Sequence, residues 1–237
     1  MTVLVEAKDD VATITLSRPE SRNALNLAMC DDLRAAAQGL EAPVQLVFVR
    51  AAGPVFCAGA DLKERQGMSE AQVRERRMKA FAAYAALEAL PMPAIAVVEG
   101  PAVGSGCEIA AACDFIVATP AASFRIPEAL RGTVGATQRL PRILGKRLAK
   151  ELMFTGRALS ADEAERHGLV SRVVAEEKLE AALAEIARTI LAAPADALRL
   201  AKRTIDRGVE RDPQGALEAE LAAIEEQLAA GEWLGRK

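Results

Sequence analysis

At 237 residues the chain is long enough for one large or two small domains, and with 51% hydrophobic residues it can build a substantial core. Its 30 Lys and Arg against 33 Asp and Glu leave a formal charge of −3, which argues against nucleic acid or an anionic membrane as the main partner. No uncharged stretch reaches the roughly 18 apolar residues of a spanning helix, and the opening MTVLVEAKDD lacks a basic-then-apolar leader, so a cytoplasmic location is expected.

Val11 to Ser17 alternates apolar and polar residues as a half-buried strand should. Val44 to Val49 and Ile95 to Val98 are nearly continuous apolar runs, the pattern of strands covered on both faces. Between them, Ser69 and Gln72 spell a capping box that opens a long helix ending before Pro91. After about residue 136 the strand signal nearly vanishes, apart from a short candidate at Val170 to Val174. Leu179, Leu183, Ile186 and Ile190 recur at helical spacing and place one apolar stripe on a helix. Ser160 with Glu163, and Asp212 before Pro213, mark two more helix starts. His167 precedes Gly168 and reads as the end of a helix. The fold class expected is α/β, with a core over 1–135 carrying the functional loops and a helical region over 136–237.

Cys30, Cys57, Cys107 and Cys113 include no C-x-x-C pair and His167 is the only histidine, so neither a zinc site nor a disulfide framework is suggested. The cysteines read as small buried apolar residues.

Two glycine-containing loops follow candidate buried strands, where α/β folds commonly place ligands. One is Phe56 to Leu62; the other is Gly100 to Glu108, running into an apolar helix at Ile109 to Ala112. Small residues let backbone approach a ligand closely, so two such loops can form an oxyanion hole. A tight turn without a ligand is the competing reading of either loop. Neither loop spells a phosphate-binding fingerprint. Glu108 lies in a stretch otherwise without charge, and Glu128 lies in mainly apolar company at Ile126 to Leu130. A poorly hydrated carboxylate suits proton transfer near neutrality, and a pair allows acid and base roles. The bland alternative for each is a salt bridge to a neighbour such as Arg125 or Arg131. Ser105 as a hydrolase nucleophile fails on partners, because its surroundings do not spell G-x-S-x-G and His167 is the only histidine.

Taken together, Arg18-Pro19 with Asn23-Ala24-Leu25, Phe56 through Glu64, Gly100 through Asp114, Pro127-Glu128, Thr137 to Leu140 and Gly168 to Val170 resemble the crotonase, or enoyl-CoA hydratase/isomerase, superfamily over nearly the whole chain. The resemblance implies a β-β-α superhelix followed by a C-terminal α-helical trimerisation region, assembled as a homotrimer or a dimer of trimers. It implies oxyanion donors at the Ala60 and Ser105 amides, and coenzyme A contacts around Ala24, Ala58, Asp61 and Leu62. It places Glu108 and Glu128 on the glutamates with which family hydratases add water to a 2-enoyl thioester. An acyl-CoA substrate is implied, with no metal and no cofactor beyond the coenzyme A of the substrate itself. An isomerase acting through the same enolate, and a non-catalytic acyl-CoA-binding or assembly protein, are the rival readings. Three departures stand out: Ser105 replaces a glycine of the usual triplet, Gly132 to Ala136 is a shortened loop, and the chain ending Gly231 to Lys237 lacks the family's final helical segment.

Overall fold

The structure is a computed structural model that describes residues 1–231. Strands β1 (Val3–Lys8) and β2 (Val11–Leu16) form an antiparallel hairpin, and α1 (Leu27–Gln38) leads from it to β3 (Leu46–Ala51). Helices α2 (Leu62–Arg65) and α3 (Glu70–Glu88) follow, then β4 (Ala94–Val98), β5 (Pro101–Val103), α4 (Ser105–Ala111), β6 (Phe115–Ala118) and β7 (Ser123–Arg125). The later chain holds α5 (Arg139–Thr155), β8 (Ala158–Ser160), α6 (Ala161–Arg166), β9 (Arg172–Val173), α7 (Leu179–Leu191), α8 (Ala195–Gly208) and α9 (Pro213–Ala230). The main sheet runs β1-β2-β3-β4-β6-β9 and is parallel after its first pair; a second sheet runs β5-β7-β8.

The apolar runs in β3 and β4 divide their side chains by strand alternation between two cores. Val47, Val49, Ala94, Ala96 and Val98 face the larger core beneath α1 and α3. Leu46, Phe48, Ile95 and Val97 point the other way and meet Leu179, Leu183 and Ile186 of α7. The stripe read at helical spacing thus closes the outer face of the sheet. Burying each such Leu or Ile contributes roughly 1.5–3 kcal/mol.

The capping box forms as expected: the Ser69 hydroxyl accepts from the Gln72 N–H and the Gln72 side chain accepts from the Ser69 N–H. Ser160 and Asp212 cap α6 and α9, and His167 with Gly168 at φ +76° ends α6. The Val44 to Val49 strand is displaced by two residues to Leu46–Ala51, and the Val170 to Val174 candidate narrows to Arg172–Val173. β8 arises in a stretch with no strand signal, because a three-residue strand is fixed by its pairing with β7 rather than by its own composition. The chain after residue 136 therefore returns to both sheets. Burial pushes the Cys30 thiol up to about 11 and the Cys57 thiol up to about 12, as befits packing residues. Of the C-terminal stretch Gly231 to Lys237, Glu232 to Lys237 lie outside the described residues.

Asn23 is fully buried at φ +51°, and its side chain supplies three hydrogen bonds. Nδ2 donates to the carbonyls of Ala52 and Val55 at 2.8 Å each, and Oδ1 accepts from the Arg18 N–H at 2.8 Å. These bonds tie the exit of β2 to the exit of β3, directly upstream of the first loop. Asn23→Ala leaves those groups unpaired in a dry site and removes about 2–4 kcal/mol from the unfolding free energy. Urea denaturation reads this directly, and a loss below about 0.5 kcal/mol, the range of ordinary surface substitutions, contradicts it.

Candidate active site

The site sits beyond the carboxyl ends of β3 and β4. The loop after β3 pairs with β5: the Val103 N–H donates to the Cys57 carbonyl at 2.9 Å and the Cys57 N–H donates to the Pro101 carbonyl at 3.2 Å. The same loop pairs on its other side with the connection between β2 and α1. There the Leu25 N–H donates to the Gly59 carbonyl at 2.8 Å and the Asp61 N–H donates to the Leu25 carbonyl at 2.9 Å. Gly59 takes φ +93°, and a Cβ there would lie 2.9 Å from the Val103 carbonyl oxygen and 4.0 Å from the Ser105 nitrogen. Only glycine permits this approach, which brings residues 59–60 against 103–105. Among the described residues neither the Ala60 nor the Ser105 N–H donates to a backbone carbonyl, although the flanking amides of Asp61 and Gly104 do. Two unspent donors on adjacent loops can hold a negative oxygen.

Ala60, Ser105, Glu108 and Glu128 all line one cavity of about 100 Å³, walled by Phe81, Tyr84, Val134 and Ala136. A wider groove of about 620 Å³ shares Ala60 and Glu128 with it and runs past Ala58, Leu62, Gly104 and Arg131. Ala24 and Asp61 flank the groove without lining it. The Arg18 guanidinium links them, donating to the Ala24 carbonyl and to Asp61 Oδ2 at 3.1 Å, while Asp61 Oδ1 caps α2. Burial pushes the Asp61 carboxyl up, but the Glu64 N–H and the Arg18 guanidinium outweigh it and hold the group below its ordinary value.

The two glutamates occupy opposite environments. Glu108, on α4 and 5% exposed, is ion-paired through Oε2 to Arg139 at 2.9 Å. The salt bridge weighed from the sequence exists, but its cation is Arg139 and neither Arg125 nor Arg131. Arg125 instead donates to the Gly156 carbonyl. Glu128 has no ion pair among the described residues, and its Oε2 is buried without a hydrogen-bond partner. Gly104 at φ +51° admits it, since a Cβ there would overlap Glu128 Oε1. Burial raises the Glu128 carboxyl above its ordinary value; the nearby Glu108 charge adds to this, and Arg131 opposes it. A carboxyl with a raised pKa at Glu128, across the cavity from an ion-paired Glu108, is the kind of difference on which paired acid–base chemistry draws.

The shortened loop has a local cause for its shape. The Arg131 and Thr133 N–H groups both donate to the Glu128 carbonyl at 3.0 Å, and Arg77 donates to Thr133 Oγ1 and to the Val134 carbonyl. The loop thereby closes over the cavity. Ser105 places its hydroxyl beside the Tyr84 phenol, which burial raises well above its usual range while Ser105 opposes the shift. Arg139, Tyr84 and Arg77 were assigned no role from the sequence. Of the three only Arg139 carried a local signal: it lies in the Thr137 to Leu140 motif and in the first turn of α5, where the helix dipole disfavours a cation.

A model described as enoyl-CoA hydratase/isomerase matches residues 6–232. The chain belongs to the enoyl-CoA hydratase/isomerase family. An enoyl-CoA hydratase from Bacillus anthracis superposes with a TM-score of 0.91 at 40% identity, covering 95% of this chain and 90% of that one. Bos taurus enoyl-CoA hydratase domain-containing protein 2, mitochondrial, is 43% identical over 212 residues, 85% of this chain and 72% of the relative. A Thermobifida fusca family structure in complex with acetoacetyl-CoA superposes with a TM-score of 0.89 at 29% identity, covering 97% and 95%. These likenesses establish the crotonase fold, with its C-terminal helices, for this chain. Among the described residues no helix is long and apolar enough to cross a membrane, and no cluster of three or more His, Cys, Asp or Glu is placed to hold a metal.

The unpaired Glu128 has a stability signature with a definite sign. Its folded-state pKa is raised, so the native state holds the proton more tightly than the unfolded chain. Stability therefore falls as pH rises from the ordinary carboxyl value of 4.5 through the raised one, and the full penalty is present above it. Glu128→Gln removes the penalty: the variant has the higher Tm at pH 7–8, and the gap closes in acid below the ordinary carboxyl range. A gap of equal size at both pH values contradicts the assignment.

Proposed function

We propose that the protein hydrates a short-chain 2-enoyl-CoA. The thioester oxygen sits between the Ala60 and Ser105 N–H groups, which take up charge as it develops; oriented donors of this kind contribute roughly 3 kcal/mol each. Glu108, as the carboxylate, takes one proton from water while the water oxygen bonds to the β-carbon. The electron pair of the carbon–carbon double bond moves towards the thioester, and Glu128 delivers its proton to the α-carbon. The product gains one water; the proton taken up by Glu108 leaves to solvent and Glu128 takes one up, so both carboxyls return to their starting states. No step draws on a metal or redox cofactor.

The observation that carries this reading is the convergence of two unspent amides and two unlike carboxylates on one small cavity. Family membership supports the acyl-CoA part, as does the Thermobifida fusca relative with acetoacetyl-CoA bound. The wider groove suits the pantetheine arm, with Ala58 and Leu62 along its wall and Ala24 and Asp61 beside it. A dry apolar cavity of about 150 Å³ takes benzene, so about 100 Å³ favours an acyl chain near four carbons. Helices α8 and α9 hold no fully buried residue, and Ile205, Leu221 and Ile224 on them, with Val209 just after α8, are exposed. That apolar face supports assembly with further copies as a homotrimer or dimer of trimers.

Crotonyl-CoA should lose its conjugated enoyl-thioester absorbance when incubated with the protein. Glu108→Gln and Glu128→Gln should each lower kcat by about 10²–10⁴-fold with little change in KM. Full activity in both variants rules out the two-carboxylate mechanism. An isomerase needs only one carboxylate and is told apart by a 3-enoyl-CoA: conjugation appears without incorporation of labelled water oxygen.

A further inference from the structure

Arg139 occupies an unfavourable place that demands a reason. It is the first residue of α5, where the unpaired N–H groups of the helix repel a cation, and the preceding Gln138 makes no side-chain cap. Its guanidinium is nevertheless held from three sides. Nη1 donates to Glu108 Oε2 at 2.9 Å, and Nη2 and Nε donate to the two oxygens of Glu88 at 2.6 and 3.2 Å. Its Cζ lies 5.9 Å from the centroid of the Tyr84 ring, which Phe81 meets edge-on. The fork of donors thus spans α3, α4 and α5 and arrives through the shortened loop. Glu108 Oε2 is occupied, whereas Glu108 Oε1 has no hydrogen-bond partner among the described residues, and the residue lines the cavity.

We propose that Arg139 is a positioning residue for the acid–base reaction: it clamps one oxygen of Glu108, presents the other to water, and sets its own positive charge against the carboxylate. Glu88 is the counterweight, holding the far side of the guanidinium at the protein surface. This rests on the hydratase reading for its consequence in catalysis and on the geometry alone for its effect on Glu108. The charged and titratable groups around Glu108 are Arg139 on α5, Glu88 and Tyr84 on α3, Cys107 on its own helix and Glu128 across the cavity, with Arg65, Arg76 and Arg77 on the cavity wall. Of the cations, Arg139 alone is ion-paired to Glu108. Arg76 is committed to Glu64 and the Leu25 carbonyl, and Arg77 to the loop.

The test compares wild type, Arg139→Gln, Arg139→Lys and Glu88→Gln. With crotonyl-CoA, Arg139→Gln should move the acid limb of the kcat/KM profile to higher pH by about one unit and lower kcat by about 10–100-fold, with KM changed less than threefold. Arg139→Lys restores the charge without the fork, so the acid limb returns while kcat recovers only in part. Glu88→Gln, at an exposed position, frees the guanidinium for Glu108 and shifts the limb the opposite way. That sign does not depend on whether Arg139→Gln folds well. Carbon-13 NMR of labelled glutamate carboxyls, with Glu108 assigned by Glu108→Gln, reads the same shifts without turnover. An acid limb and a Glu108 titration that stay fixed in both Arg139→Gln and Glu88→Gln overturn the proposal. If the NMR shifts appear but no enoyl-CoA is turned over by wild type, the clamp stands and the hydratase reading fails.

Discussion

The proposed oxyanion hole requires two loops close enough for their amides to share one oxygen, and the pairing of Cys57 with β5 is what brings the loops together. The Val103 N–H donates to the Cys57 carbonyl and the Cys57 N–H donates to the Pro101 carbonyl across that contact, and Gly59 accepts a positive φ to pass within reach of the Val103 carbonyl. Everything upstream serves to place the first loop. Parallel strands β3 and β4 bury residues on both faces and β2 buries one, Asn23 ties the exits of β2 and β3 together, and Leu25 grips residues 59 to 61 from behind. Everything downstream places the second loop, because β5 leads through Gly104 directly into α4, the helix that carries Glu108. One short strand contact therefore fixes the donors and a carboxylate together.

Chemical asymmetry is then added by surroundings rather than by residue type. Glu108 and Glu128 are the same side chain on the same cavity, yet one is paired to a guanidinium and the other has a buried oxygen with no partner. An uncompensated carboxyl destabilises the folded state when charged, and the fold tolerates one at Glu128. Such a position trades stability for a carboxyl whose pKa is raised. Gly104 belongs to the same trade, since its missing side chain is the space that Glu128 occupies.

Much of this was legible in the sequence where burial on both faces or a cap leaves a local mark. β3 and β4 announced themselves as apolar runs, α3 by Ser69 and Gln72, and α7 by its stripe. β1 was silent because five of its six residues are exposed, and β5, β7 and β8 are three-residue strands defined by partners distant in sequence. The burial of Glu108 and of one Glu128 oxygen was readable from their apolar neighbourhoods. Their difference was not: it depends on Arg139, 31 residues from Glu108, arriving from another helix. Likewise the shortened loop was visible, but its closure through Arg77 onto Thr133 and Val134 is a tertiary fact.

The central claim is that the Ala60 and Ser105 amides polarise a thioester carbonyl. Isotope-edited infrared spectroscopy of butyryl-CoA labelled with carbon-13 at the thioester carbonyl tests it most directly, because this saturated ligand binds without reacting. The account predicts that the carbonyl stretch moves to lower frequency on binding, and that the shift persists in Glu108→Gln, where the amides are untouched. A bound carbonyl that vibrates at its solution frequency contradicts it.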